Sequence, residues 1–149
     1  MKNKVVLFHP PYDGPPLGPP LSLLSLASPL LEAGLQVSIV DASIDPGYKT
    51  SLATEIQGAL CLGISLLTGR MIRSAVDVSR LVRDIQPGLP IIFGGWHPSL
   101  LAAQTLREDF VDAVVRGQGE LTLREVAERL TFSKLCEFIQ HRLKEATIR

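Results

Sequence analysis

Five short apolar runs recur along this chain of 149 residues, each followed by a turn-rich segment. They are "VVLF" (Val5 to Phe8), "VSIVD" (Val37 to Asp41), "ALCLGIS" (Ala59 to Ser65), "PIIFGG" (Pro90 to Gly95) and "DAVVRG" (Asp112 to Gly117). Rich in Val and Ile and apolar at successive positions, they predict parallel strands buried on both faces. Between them lie "LSLLSLASPLLEAG", "SLATEIQG", "MIRSAVDVSRLVRDIQPG" and "SLLAAQTLREDF", which predict helices. The third is the clearest, because Ile72, Ala75, Val76, Val78, Leu81, Val82 and Ile85 recur near helical spacing, while Arg73, Asp77, Arg80 and Arg83 largely take the other side. Gly34 and the pair Pro87 and Gly88 supply stop signals, and Pro29 is expected to kink or shorten the first helix.

Strand, helix, strand, helix is the pattern of an α/β doubly wound sheet with right-handed crossovers. Five such strands suit the flavodoxin-like (Rossmann-like) order 2-1-3-4-5. With 46% hydrophobic residues the chain can bury one core of ordinary size. Fifteen acidic and fifteen basic side chains balance, which removes any general electrostatic case for nucleic acid or an anionic membrane. The start "MKNKVVLFHPPYD" holds too short an apolar stretch for a signal peptide core or a membrane span, so a cytoplasmic protein is expected. Cys61 and Cys136 are far apart and lack C-x-x-C spacing, so neither a disulfide framework nor a cysteine metal site is indicated. Cys61 is expected to pack as a small hydrophobe.

In such a sheet, ligands bind beyond the carboxyl ends of the strands. The segments there are "HPPYDGPPLG", "DASIDPG", "SLLTG", "GGWHPS" and "RGQGE". The first begins a stretch from Phe8 to Pro20 that holds six of the eleven prolines, a stiff wall unsuited to helix or sheet. Gly94, Gly95, Gly117 and Gly119 either let backbone approach a bulky ligand or make tight turns. Ser65 and Thr68 either donate hydroxyls to a ligand or cap the helix that begins near Met71. Asp41 ends the second strand like a ribose-reading acid, yet no G-x-G-x-x-G follows the first strand, and Asp41 equally suits a turn cap. There is no G-x-S-x-G elbow, no Walker loop, and Ser65 stands where a receiver domain needs aspartate. His97, between Trp96 and Pro98 in a loop, suits a ligand, an acid or base, or a hydrogen-bonding wall. His9 and His141 form no metal triad with it.

Taken together, "HPPYDGPPLG" with its likeness to "NPPYDGPPLG", "GISLLTG", "GGWHPSLLAAQTLRE" and "VVRGQGE" resemble the cobalamin-binding domain of cobalamin-dependent radical S-adenosylmethionine enzymes, of the anaerobic Mg-protoporphyrin cyclase-like group. The resemblance covers about Met1 to Leu130 and implies a cobalamin-binding domain over 1–130 with a C-terminal helical extension over 131–149. It implies a corrinoid surrounded by Pro11, Tyr12, Asp13, Pro15, Leu17, Gly18 and Asp41 from the first two loops. Ser65, Leu66, Thr68 and Gly69 would line the crevice for the nucleotide tail, with Gly94, Gly95, Gly117 and Gly119 giving backbone access. Trp96, His97, Pro98 and Ser99 would form part of its wall, with Gln118 and Glu120 beside it. On this reading, Gly95→Val is expected to abolish binding with the sheet intact.

Many base-off cobalamin proteins carry D-x-H-x-x-G after the first strand, the histidine serving as lower ligand of cobalt. Here "DGPPLG" keeps Asp13 and Gly18 and places Pro15 where histidine would stand, so that ligand is missing. Gln118 stands where many relatives have the first glutamate of "RGEGE", and Glu120 remains. Two isolated cysteines cannot supply the C-x-x-x-C-x-x-C of a radical enzyme's [4Fe-4S] centre, so no iron-sulfur cluster is expected in this chain. The expected function is a cofactor module whose radical S-adenosylmethionine catalytic domain or subunit lies elsewhere. Two alternatives use the same crevice: a small standalone enzyme with His97 and Glu120 as acid and base, or a regulatory interaction domain. The closing segment "TFSKLCEFIQHRLKEATIR" predicts an amphipathic helix packed on the sheet or offered to a partner.

Overall fold

The computed structural model describes residues 3–12, 14, 18–131 and 147–148. All five predicted runs are strands: β1 (Lys4–His9), β2 (Gln36–Asp41), β3 (Ala59–Ser65), β4 (Ile91–Gly94) and β5 (Ala113–Val115). They are parallel and lie in the order β2-β1-β3-β4-β5, the doubly wound arrangement read from the sequence. A two-residue strand β6 (Thr147–Ile148) extends the sheet beside β5. The helix expected over 131–149 lies outside the described residues for 132–146, and its last part holds this strand.

Alternation along the strands sends two apolar layers to opposite faces. Val5, Leu7, Cys61, Ile92, Ala113 and Val115 meet α1 (Leu21–Glu32) and α6 (Glu120–Thr131). Val6, Phe8, Leu62, Ile64, Ile91, Phe93 and Val114 meet α2 (Tyr48–Glu55) and α3 (Arg70–Ile85). Burial on both faces explains why the strands read as continuous apolar runs. Cys61 is fully buried, and desolvation pushes its thiol up to about 12, as suits an inert packing residue.

Two helices depart from the sequence reading. α1 continues through Pro29 and ends at Glu32, so the proline neither stops it nor replaces Gly34 as terminator. Gly34, at φ +76°, closes that end, with the Leu35 amide donating to the Leu30 carbonyl at 3.1 Å. The segment after β4, read as a loop and then one helix, is two short helices, α4 (Trp96–Leu100) and α5 (Ala102–Thr105). Pro98 is accommodated within the first turn of α4, where no intrahelical amide is needed. The sequence reading also assigned no helix to Glu120–Thr131, now α6, which buries Leu123, Val126, Ala127 and Leu130.

Arg83 is a further correction, because it does not stand on the solvent side of α3. Its guanidinium donates to the carbonyls of Pro87, Leu89 and Phe110 and pairs with the Asp112 carboxylate. The same carboxylate accepts the Ile91 amide at 2.7 Å, so one ion pair ties α3 to the amino ends of β4 and β5. Both side chains are largely buried, at 21% and 15% exposure. Arg83→Met is expected to destabilise the fold by about 2–4 kcal/mol, since the Asp112 carboxylate keeps its burial and loses its counter-charge. Urea denaturation would check this, and an unchanged midpoint would reduce the pair to a surface contact.

Candidate functional site: a glycine-floored cleft

At the carboxyl edge of the sheet, the ends of β3, β4 and β5 and the amino ends of α1 and α6 surround a cleft of about 210 Å³. It exists because side chains are missing. On the face that carries Cys61 and Ile92, the next positions toward the carboxyl edge are Gly63 and Gly94, so the sheet offers bare backbone between α1 and α6. A Cβ on Gly63 would stand 2.9 Å from Leu7 Cδ2, and one on Gly119 would stand 3.1 Å from Val115 Cγ1. At Gly63 and Gly119 a larger residue therefore needs Leu7 or Val115 to shift, whereas a Cβ on Gly94 meets only the Val115 carbonyl oxygen at 3.7 Å.

The polar groups lining the cleft are Ser22 and Ser25 on α1, Ser65 at the end of β3, and Gln118 and Glu120 at the start of α6. Leu26, Ile92, Val115 and Leu123 supply apolar surface. Glu120 is the single carboxylate among these residues and occupies the first turn of α6, where the helix dipole favours negative charge. Ser65, Gly94, Gly95, Gly117, Gln118, Gly119 and Glu120, anticipated from the sequence, all meet in this one space.

Other anticipated residues do different work. The Leu66 amide donates to the Gly94 carbonyl at 3.0 Å, and the Leu66 carbonyl accepts the His97 amide at 3.4 Å, joining the exits of β3 and β4. Gly95 lies in that seam at φ +95°, and a Cβ there would fall 2.6 Å from the Leu66 carbonyl oxygen. The expectation that valine at this position spares the sheet is therefore corrected: the clash is with backbone that cannot rotate away. Ser99 Oγ donates to the Gly95 carbonyl at 2.6 Å and accepts the Gly117 amide at 3.0 Å, clipping the fourth loop to the fifth. Gly69, at φ +118°, precedes the first residue of α3.

His97 does not line the cleft. Its Nδ1 is 3.3 Å from Thr68 Oγ1 on the exposed side of the loops, next to Trp96, while Pro98 is buried beneath them. Asp41 is buried, and its Oδ1 accepts the Ser43 amide at 2.9 Å and the Ser43 hydroxyl at 2.6 Å, so it caps a turn. Asp41 and Gly18 line a second, wider hollow of about 670 Å³ along the outer edge of β2. Tyr12 is half-exposed above Gly14, and Pro11 lies beside it, half-buried. Asp13, Pro15 and Leu17 lie outside the described residues.

Sequence reasoning missed Gly63, Ser22, Ser25 and Leu26. A glycine inside the apolar run "ALCLGIS" was the available signal for close backbone approach, and three serines at three-residue spacing (Ser22, Ser25, Ser28) on a mostly apolar helix were another. Among the described residues no group of three or more His, Cys, Asp or Glu side chains is placed to hold a metal ion. No helix there is long and apolar enough to cross a membrane.

Comparison with known proteins agrees with this fold. A family model described as B12 binding domain matches residues 3–127. The chain is 29% identical over 140 residues to an anaerobic magnesium-protoporphyrin IX monomethyl ester cyclase of Synechocystis sp., covering 85% of this chain and 28% of the relative. It is 31% identical over 137 residues to an uncharacterized methyltransferase of Pyrococcus horikoshii, covering 86% and 29%. Its fold matches the radical S-adenosylmethionine methyltransferase TsrM of Kitasatospora setae, solved with cobalamin and a [4Fe-4S] cluster, at a TM-score of 0.79 and 21% identity. That match covers 89% of this chain and 27% of the other. The chain thus spans less than a third of the length of each of these relatives.

Proposed function

The chain belongs to the B12-binding domain family, whose cofactor is cobalamin, and from that premise we propose that residues 1–130 hold cobalamin base-off for a catalytic region outside this chain. In this reading the catalytic region is of the radical S-adenosylmethionine type, on the same polypeptide or on another subunit in the cytoplasm, and residues 131–149 are an extension of the carrier. The observation that carries the proposal is the cleft floored by Gly63 and Gly94 at the carboxyl edge of the sheet.

Its size favours a part of the cofactor over the whole. Pockets that enclose a complete ligand of moderate size measure about 300–1,000 Å³, and this one is about 210 Å³. The nucleotide tail fits such a space, and the macrocycle then lies outside it, over the strand-end loops. Ser22, Ser25, Ser65 and Gln118 offer hydrogen bonds to the tail's polar atoms, while Leu26, Val115 and Leu123 exclude water from its apolar ring. When bound, cobalamin supplies a cobalt centre that carries a methyl group or exchanges electrons. Pro15 has no lone pair for a metal, so the first loop would offer cobalt no nitrogen at the position where a histidine ligand would stand. The enzyme reading with His97 and Glu120 is weaker, because Glu120 lines the cleft and His97 faces Thr68 outside it.

The test is to mix the purified protein with hydroxocobalamin, remove free ligand and record the visible spectrum. Stoichiometric retention is expected at micromolar protein, and protein emerging colourless overturns the proposal in favour of a regulatory domain or an enzyme using another ligand. After reduction, electron paramagnetic resonance of the Co(II) form is expected to lack the triplet splitting that a nitrogen lower ligand adds to the cobalt lines. A triplet that disappears in His97→Ala would overturn the axial part of the proposal and make His97 the ligand.

A further inference from the structure

His9 ends β1 at the ligand-binding edge, and its Nδ1 is buried with no hydrogen-bond partner among the described residues. A buried polar atom left without a partner is destabilising, and native structures keep few of them. The other such atom among the described residues, Ser79 Oγ, lies within α3 and away from the strand ends. His9 therefore differs in being an unsatisfied nitrogen at the edge where the fold binds ligands.

Its setting fixes which ligand it can meet. Val5 and Leu7 pack toward α1 and α6, so strand alternation places His9 on that same face. In register it pairs with Asp41 of β2, which lines the wide hollow. On the other side, Phe8 pairs with Ile64, which puts His9 level with Ser65, a residue of the glycine-floored cleft. His9 thus ends the strand that lies between β2, which borders the wide hollow, and β3, which borders the cleft, and Pro10 and Pro11 follow it directly. The backbone there is fixed, because the His9 carbonyl accepts the Ala42 amide at 3.0 Å and Pro10 and Pro11 follow.

We infer that His9 is a cofactor-binding residue: its imidazole makes a hydrogen bond to a polar group on the rim of the bound corrinoid, without touching cobalt. The rim of a corrinoid carries amide side chains, each with both donor and acceptor atoms, and a neutral imidazole can answer either. The inference rests on the cobalamin reading above and adds a residue to it. Asparagine, with a shorter amide, would supply the same chemistry less well placed.

The experiment compares wild type with His9→Leu and His9→Asn, each prepared free of cofactor and then titrated with hydroxocobalamin by visible spectroscopy. His9→Leu is expected to lose at least tenfold in affinity, with His9→Asn recovering part of it. The melting temperature of cofactor-free His9→Leu is expected to equal or exceed that of wild type, since an unsatisfied buried nitrogen has been removed. Wild-type protein that binds no cobalamin sinks the proposed function itself. Wild type that binds and a leucine variant that binds equally well overturn this inference alone and leave the nitrogen to solvent. A leucine variant that melts earlier in step with its lost affinity makes His9 structural, which also overturns it. A Co(II) triplet in wild type that vanishes in His9→Leu would place the nitrogen on cobalt and overturn the hydrogen-bonded form.

Discussion

Gly94→Leu is expected to lower cobalamin affinity at least a hundredfold while the cofactor-free protein unfolds within about 1 kcal/mol of wild type. Gly94 has no positive φ, and a Cβ built on it meets only the Val115 carbonyl oxygen at 3.7 Å, an ordinary contact. Nothing in the fold therefore forbids a side chain there. A larger residue should even suit the strand, because glycine in a strand interior adds chain entropy and no packing. What the leucine would fill is the cleft, which measures about 210 Å³ and is lined beside it by Gly63, Val115 and Gly119. A hundredfold loss corresponds to about 2.7 kcal/mol, a modest figure for blocking the space that the nucleotide tail needs. Titration by visible spectroscopy and urea denaturation together test both halves. A variant that binds cobalamin normally would remove the cleft from the site.

This separation of binding from folding shows what the sequence can and cannot carry. The strand pattern is most legible where a strand is buried on both faces, as β1 and β3 are, so Val5 to Phe8 and Ala59 to Ser65 stand out as apolar runs whatever lies around them. The loops that follow them are legible because special residues collect there. Which side of a glycine faces ligand and which faces the chain's own backbone is decided by neighbours distant in sequence, and here Gly94 and Gly95 are adjacent and opposite in meaning. Arg83 makes the same point for charge. Helical periodicity puts it among solvent-facing cations, yet Asp112, twenty-nine residues later, draws it beneath α3. α6 is harder to read for a related reason: its buried residues Leu123, Val126, Ala127 and Leu130 carry an ordinary helical stripe, but the loop motif "RGQGE" runs directly into it with no separating stop signal.

Gly95→Ala is expected to destabilise the protein by about 2–5 kcal/mol, an effect on the fold that precedes any effect on cofactor. Gly95 combines φ +95° with a Cβ position 2.6 Å from the Leu66 carbonyl oxygen and 2.9 Å from its amide nitrogen. A left-handed backbone disfavours any L side chain by roughly 1–2 kcal/mol, and forced overpacking adds about 1–3 kcal/mol more. The seam cannot open without loss. Leu66 is held by the Gly94 carbonyl through its amide and by the His97 amide through its carbonyl, and the Gly95 carbonyl itself accepts the Ser99 hydroxyl. Displacing Leu66 thus strains the exits of β3 and β4 together and loosens the clip to Gly117. Alanine already contains the clashing atom, so valine should be only somewhat worse, whereas at Gly94 the damage to binding should grow with side-chain size. Urea midpoints of Gly94→Ala and Gly95→Ala, measured without cofactor, give the contrast directly. A Gly95→Ala protein that unfolds at the wild-type midpoint would mean that Leu66 retreats freely, and would return Gly95 to the ligand-facing role first read for it.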